Sequence, residues 1–281
     1  MEVQKSFLDA FLKDEDTVGW SVPGKVAPVS VILRKGDVGF NNPEAEKQYV
    51  RREESAWPIP GTQYTKFHLT PERELSKTAP SISSPAVVSY EALGNLENPK
   101  VVQFTSPPFE EDTEITGHVV AHLNVSITPD AQATSPEKDI DVFVTLRYIS
   151  PSGQEVYYTG TAGDPVPLAK GWLRASLRKL AADHPRHQSY QPYREYRSTD
   201  VQSVAADTPY AIDVEVWPTN VVAEKGGRIV FEVASGDTQG SGIFTHKSEK
   251  DRPKEIFSGL NNIHFGEGLE NYVTLPIVPS K

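Results

Sequence analysis

A chain of 281 residues with 37% hydrophobic residues has enough length to bury a core unaided, and its 23 prolines and 19 glycines suit short strands joined by turns better than a helical bundle. A net charge of −10 and a pI near 5.2 repel a phosphate backbone and give no attraction to an anionic bilayer, which disfavours nucleic acid and membrane as partners. With no cysteine in the chain, disulfides, zinc-thiolate sites, iron-sulfur clusters and cysteine nucleophiles are excluded.

Val3, Phe7, Leu8, Phe11 and Leu12 recur at helical spacing, with Glu2, Lys5, Asp9 and Lys13 around the rest of the cylinder, so the chain should open with an amphipathic helix that needs a partner. Acids break up its apolar residues. The start therefore reads as neither a signal peptide nor a membrane span, and a cytoplasmic location is expected.

Val26, Val29, Val31 and Ile32 suggest a first strand, and residues 36–62 read as a long loop anchored by Trp57. A short strand is expected from Gln63 to Leu69, then a polar stretch from Thr70 to Pro85. The clearest alternation runs from Glu114 to Thr128. Ile115, Val119, Ala121, Leu123, Val125 and Ile127 take one face, and Thr116, His118, His122, Asn124 and Ser126 take the other, which is expected to meet solvent or a loop. Asp139 to Ser150 repeats the pattern, and Gln154 to Gly160 returns after a Pro151-Ser152-Gly153 turn. Further on, PYAIDVEVWPT and KGGRIVFEVAS flank Lys225-Gly226-Gly227 and read as neighbouring antiparallel strands. Asn271 to Val278 should close the fold. Long alternating strands without a β-α-β rhythm predict a mostly β fold: a two-sheet antiparallel sandwich of jelly-roll type, with long loops and a short N-terminal helix.

The sequence is poor in recognisable chemistry. No G-x-S-x-G nucleophile elbow occurs, and Gly19-Trp20-Ser21 and Gly240-Ser241-Gly242 read as turns. His118 and His122, on one strand face, stand roughly 13–14 Å apart by strand rise, too far to share a metal ion, and are expected as exposed histidines. His184 and His187 flank Pro185-Arg186 without a carboxylate at ligand spacing, and Asp139 with Asp141 is weak evidence for a glycosidase pair. Asp130, Glu137 and Asp139 form no ordered calcium pattern, and neither metal nor cofactor is expected. Trp20, Trp57, Trp172 and Trp217 are available either for stacking a ligand or for packing.

Several segments, in order, carry a family resemblance. They are Ser6 to Lys13 (SFLDAFLK), Trp57-Pro58 with Tyr64 and Leu69, Asp139 to Val144 (DIDVFV), Gly171 to Arg178 (GWLRASLR), and Tyr272 to Pro279. Together they resemble the C-terminal β-domain of the X-Pro dipeptidyl-peptidase and cocaine-esterase-like (CocE/NonD) serine hydrolases. One departure is Gly227, which stands where many members have a histidine in a K-G-H-R segment.

The resemblance implies that nucleophile, acid and base belong to an α/β-hydrolase domain placed before this region. Residues 1–14 would then be the last helix of that domain and residues 15–281 the β-sandwich, with no member of the triad in the chain. Family members hydrolyse esters or amides, including X-Pro peptides, acyl antibiotics and small aromatic esters. Their β-domain closes one side of the pocket and supports oligomer contacts. Trp172, Arg174 and Arg178 are the candidates for such a supporting role, against the alternative of internal ion pairs. The expected partner is a separate α/β-hydrolase chain, or a second copy through the N-terminal helix, with no hydrolase turnover by the chain alone. The alternatives are a ligand- or carbohydrate-binding sandwich that uses its tryptophans and a recruited small-molecule cyclase or isomerase.

Overall fold

A computed structural model describes residues 2–242 and 245–279. The chain opens with α1 (Glu2–Leu12), followed by β1 (Val29–Leu33), the single-turn α2 (Pro43–Glu46) and β2 (Val50–Glu54). Next come β3 (Gln63–Leu69), β4 (Leu75–Ser76), β5 (Ala86–Glu91), β6 (Val101–Thr105), β7 (Thr113–Pro129) and β8 (Asp141–Ile149). Three short strands, β9 (Glu155–Val156), β10 (Tyr158–Thr159) and β11 (Pro165–Val166), lead to β12 (Ala169–Arg174), β13 (Tyr210–Ala223) and β14 (Arg228–Ala234). A turn of helix, α3 (Lys254–Phe257), precedes β15 (Gly259–Phe265) and β16 (Tyr272–Val278).

The mostly β, antiparallel class read from the sequence is the class found. The main sheet runs β4-β3-β16-β7-β13-β12-β8-β14-β6, with β15 joining β5 to the C-terminal half of β7. Strand β5 comes alongside β6, so the sheet nearly closes on itself. Its inward residues obey the period-2 rule: Leu123 and Val125 of β7, Ile212 and Val214 of β13, Val144 and Leu146 of β8, and Phe231 of β14 share one buried core. Each such side chain contributes about 1.5–3 kcal/mol on burial, which is why a cysteine-free chain can stand on packing.

The wall containing β7 and β13 meets the wall containing β12 and β8 at a single paired position, Gly171↔Val216. Just beyond it, Trp217 and Pro218 bulge out of the β13–β7 ladder between Val216 and Thr219.

Four expectations need correction. First, β13 and β14 are not neighbours: β13 pairs with β7 and β12, and β14 with β6 and β8. The Lys225-Gly226-Gly227 turn is an arch between walls. Its backbone bonds to Phe109 (Gly226 N to Phe109 O 2.8 Å, Phe109 N to Gly227 O 2.8 Å) instead of closing a hairpin ladder. A Cβ on Gly227 would lie 2.8 Å from the ring of the buried Tyr148, so any larger residue there would collide with β8.

Second, residues 36–62 are not all loop. The highly charged VRREE of β2 pairs with β1 in a separate two-stranded ribbon, where no deep core imposes apolar alternation. Third, β4 interrupts the polar stretch after Thr70, with Leu75 fully buried.

Fourth, the polar face of β7 is not a solvent face, since Thr116, His118, Asn124 and Ser126 are buried. His118 accepts a hydrogen bond from Trp57 (Nε1 to Nε2, 3.0 Å), and His122 stacks on Tyr272 and pairs with Asp213 at 2.7 Å. Ser126 meets His264 Nε2 at 2.7 Å, a serine-histidine contact enclosed between β7 and β15.

Burial lowers the pKa of His68, His118 and His264. Above about pH 7.5 these rings are neutral in both folded and unfolded chains and add no pH dependence. As pH falls below that value the unfolded chain takes up protons first, so stability must fall until the folded pKa values are passed. Burial raises the Asp139 pKa, an effect of opposite sign that belongs to the carboxylate range. The melting temperature is therefore expected to drop between about pH 7 and about pH 5.5. A melting temperature that holds or rises over that interval would show that these histidines are not kept neutral by the fold.

Helix α1 forms where its pattern predicts, but with its stripe outward. Val3, Phe7, Leu8, Phe11 and Leu12 are exposed, Leu12 at 75%, whereas Asp9 and Ala10 are buried. Phe7 is covered in part by the edge of Trp20, 5.5 Å away between ring centroids, and Asp9 is held by Lys5 and Lys13 one turn to either side. Apart from Trp20 against Phe7, the amphipathic face has no partner among the described residues.

Candidate functional site

Strand β12 alternates strictly: Ala169, Gly171 and Leu173 point to the core, and Lys170, Trp172 and Arg174 point away from it. Its register on β8 places Trp172 beside Phe143 and Arg174 beside Asp141. The Arg174 guanidinium grips Asp141 through two bonds (Nε to Oδ1 2.7 Å, Nη2 to Oδ2 2.9 Å), and Arg252 reaches the same carboxylate from the far side (Nε to Oδ2 3.1 Å). The bonds to Asp141 raise the Arg174 pKa, as a fork-to-carboxylate pair should. Arg252 also donates to the His246 carbonyl at 3.0 Å and to that of Ser235, so one aspartate anchors the segment carrying His246 to the sheet.

His246 lies 5.1 Å from both the Phe143 and Trp172 rings, and its Nδ1 is 3.1 Å from Asp237 Oδ1. Trp217, thrown outward by the β13 bulge, meets Trp172 at 5.6 Å. Two hollows flank this aromatic group. One, of about 410 Å³, is lined by Asp141, Phe143, Trp172, Arg174, Tyr196 and His246, among others. The other, of about 330 Å³, has Lys170, Trp172, Trp217, Asp237, Thr238 and His246 in its wall. Burial pushes the Lys170 amine down to about 8, with Asp237 acting against the shift, and the amine donates to the Gly240 carbonyl. The loop is fixed from below: Thr238 donates to Glu232 at 2.8 Å, and Glu232 is the buried partner of Arg147.

Trp172 and Arg174 are thus brought to one hollow, while Arg178 is not. Arg178 donates to the carbonyls of Ala175 (3.0 Å), Gln202 (3.3 Å) and Ser203 (3.2 Å) and lies 4.3 Å above the Tyr210 ring, which makes it a tie for the loop before β13. Of the four tryptophans, Trp20 packs on α1 and Trp57 on His118, leaving Trp172 and Trp217 as an exposed pair. Phe143, Lys170, Asp237, His246 and Arg252 were not singled out from the sequence as site residues. Their signal is the β8–β12 register and the fold-back of residues 236–242 and 245–252 onto the sheet, neither of which is local.

The site has the means to stack a flat or apolar group and to hold it by charge. Among the described residues no serine hydroxyl bonds to His246, whose Nδ1 faces Asp237, and the Ser126–His264 contact is enclosed in the sheet with Ser126 1% exposed. Among the described residues no group of three or more histidine, aspartate or glutamate side chains comes together to hold a metal ion, and no helix is long and apolar enough to cross a membrane.

Comparison with known proteins agrees with the fold. A family model described as the X-Pro dipeptidyl-peptidase C-terminal non-catalytic domain matches residues 21–274. Over 205 residues the chain is 27% identical to a Mycobacterium bovis protein that bears the name of a serine esterase, an alignment covering 64% of this chain and 30% of that one. The crystal structure of a CocE/NonD family hydrolase from Staphylococcus aureus superposes with a TM-score of 0.73 at 23% identity, covering 99% of this chain and 45% of the other. An aminopeptidase from a marine-sediment Thaumarchaeota archaeon has the same architecture at a TM-score of 0.61 and 13% identity, with 99% and 44% covered. The chain spans less than half the length of each.

Proposed function

The chain belongs to the family of X-Pro dipeptidyl-peptidase C-terminal non-catalytic domains, and from that premise we propose that it serves as the accessory β-domain of an ester- or amide-cleaving serine hydrolase, without turnover of its own. The observation that carries this reading is the family match over residues 21–274 in a chain with no G-x-S-x-G elbow. The partner it calls for is an α/β catalytic unit, and the outward apolar stripe of α1 is the surface offered to it. Five large apolar residues on one helix face are costly in water at about 25 cal/mol per Å² and gain that back when covered. Trp172 and Arg174 would support the partner's pocket from the exposed aromatic face, and Arg178 would act only indirectly through the loop it ties. The cytoplasm is the proposed place of work, supported by a cysteine-free core that needs no oxidising compartment.

A fluorophosphonate probe and co-expression test the reading together. The purified chain should remain unlabelled by the probe. Co-expressed with an α/β catalytic unit it should co-purify, and Phe11→Asp, which alters only an exposed position, should abolish that association. Stoichiometric labelling of the chain alone would overturn the proposal, as would association that Phe11→Asp leaves intact.

A further inference from the structure

A cleft of about 890 Å³ separates the β1–β2 ribbon from the main sheet. Its apolar walls include Val31, Pro43, Trp57 and Pro218, and its polar walls include Arg34, Glu46, Tyr49 and Arg51. Arg34 is locked in place: Nε donates to the Asn220 carbonyl (2.9 Å), Nη2 to Thr219 Oγ1 (3.0 Å), and Cζ lies 3.7 Å from the centroid of the Tyr158 ring. Tyr158 is itself 6% exposed, and burial lowers the pKa of the guanidinium above it.

A desolvated cation of this kind normally has a carboxylate beside it. Four other inward arginines follow that rule: Arg52 pairs with Glu54 and Glu114, Arg147 with Glu155 and Glu232, and Arg174 and Arg252 with Asp141. Arg34 makes no ion pair among the described residues. Arg178, Arg194 and Arg228 also bond to carbonyls without an ion pair among the described residues; of these four, Arg34 and Arg228 line cavities, and that of Arg228 carries Glu74, Glu110 and Glu111 in its wall where that of Arg34 carries Glu46 alone as an acid. Glu46, across the cleft, is turned to the Thr159 hydroxyl (2.5 Å). The cleft therefore presents a fixed, unpaired guanidinium beside apolar surface.

We propose that this cleft binds an apolar monocarboxylate, with Arg34 as its counter-ion. A planar carboxylate matches the guanidinium edge left open by the bonds to Asn220 and Thr219. The walls of Val31, Pro43, Trp57 and Pro218 take the apolar body. A phosphate dianion suits the site less well, because it has no apolar body to set against Val31, Pro43, Trp57 and Pro218, although Lys47 and Arg51 also stand in the wall. The proposal does not depend on the hydrolase reading, and either can fail without the other.

The test is a titration of the full chain with 3-phenylpropionate, read from the Arg34 Nε–H resonance, with 3-phenylpropionamide as the neutral isostere and inorganic phosphate as the competing anion. The carboxylate should bind at least about tenfold more tightly than the amide, the difference expected for a charge-assisted contact. Arg34→Lys should lose about tenfold through loss of the planar fork. Because Arg34 also anchors the ribbon, Glu46→Gln provides a second reading that leaves the arginine's bonds alone. Removing the opposing charge should tighten carboxylate binding by about threefold. Equal affinity for acid and amide overturns the proposal, as does tighter binding of phosphate or an unchanged affinity in Glu46→Gln.

Discussion

Gly171→Ala is expected to destabilise the protein by at least about 3 kcal/mol, the upper end of what overpacking costs. A Cβ at this position would stand 2.1 Å from the Glu215 carbonyl oxygen and 2.9 Å from Val216 Cα, and both obstacles are backbone. Relief would require β12 to move away from β13 at Gly171↔Val216, their only paired position. Since β12 also carries Lys170, Trp172 and Arg174, the same displacement should open both hollows of the candidate site. Urea unfolding followed by tryptophan fluorescence measures the first effect. Near-ultraviolet dichroism of the Trp172–Trp217 pair measures the second. A variant with wild-type midpoint and wild-type aromatic signal would mean that the walls are not in contact there.

Glu232→Ala is expected to cost about 3–5 kcal/mol, the range for removing one member of a buried ion pair. Glu232 and Arg147 are 3% and 5% exposed, and the glutamate accepts from Arg147 Nη2 (2.9 Å), Gln103 (2.8 Å) and Thr238 (2.8 Å). These bonds hold its pKa down against a burial effect of opposite sign. Its folded pKa is depressed, so its share of stability is present above the ordinary carboxylate range and is lost as pH falls through the folded value. Removal strands the guanidinium with Glu155 alone at the sheet surface and releases Thr238, the anchor of the loop bearing Asp237. Chemical denaturation of Glu232→Ala and of Arg147→Met/Glu232→Leu separates the causes. The double variant should recover much of the loss, because it leaves no uncompensated charge. A single variant within about 1 kcal/mol of wild type would show that the pair is solvated.

Much of the fold was legible in the chain. The strands read at Gln63–Leu69, Glu114–Thr128 and Asn271–Val278 became β3, β7 and β16, and the helical stripe at the start became α1. Alternation is enforced locally, since a one-residue slip would put every apolar side chain on the wrong face. The ordered segments that carry the family resemblance were legible for the same reason. Most are carried by strands β3, β8, β12 and β16, whose pattern cannot drift, and Ser6 to Lys13 by α1.

What failed were inferences about neighbours. The glycine turn between β13 and β14 has the composition of a hairpin, and only the backbone bonds to Phe109 reveal an arch. Strand β2, charged at every residue after Val50, shows no pattern because it belongs to a ribbon outside the main sheet. His118 and Ser126 look like surface residues on a half-buried strand, yet loops and adjoining strands cover them.

The candidate site divides along the same line. Trp172 and Arg174 were visible as supporting residues only through the family resemblance of GWLRASLR, and the sequence by itself determined the class of fold, the absence of a nucleophile elbow and cysteine chemistry, and the family. The tertiary structure alone decided that Asp141 would clamp two arginines, that Arg178 would tie a loop instead, that Trp217 would join Trp172, and that the stripe of α1 would face outward. The reason is physical: periodicity fixes which way a side chain points from its own strand, whereas the group it meets depends on register and on loop paths set by contacts among residues far apart in the chain.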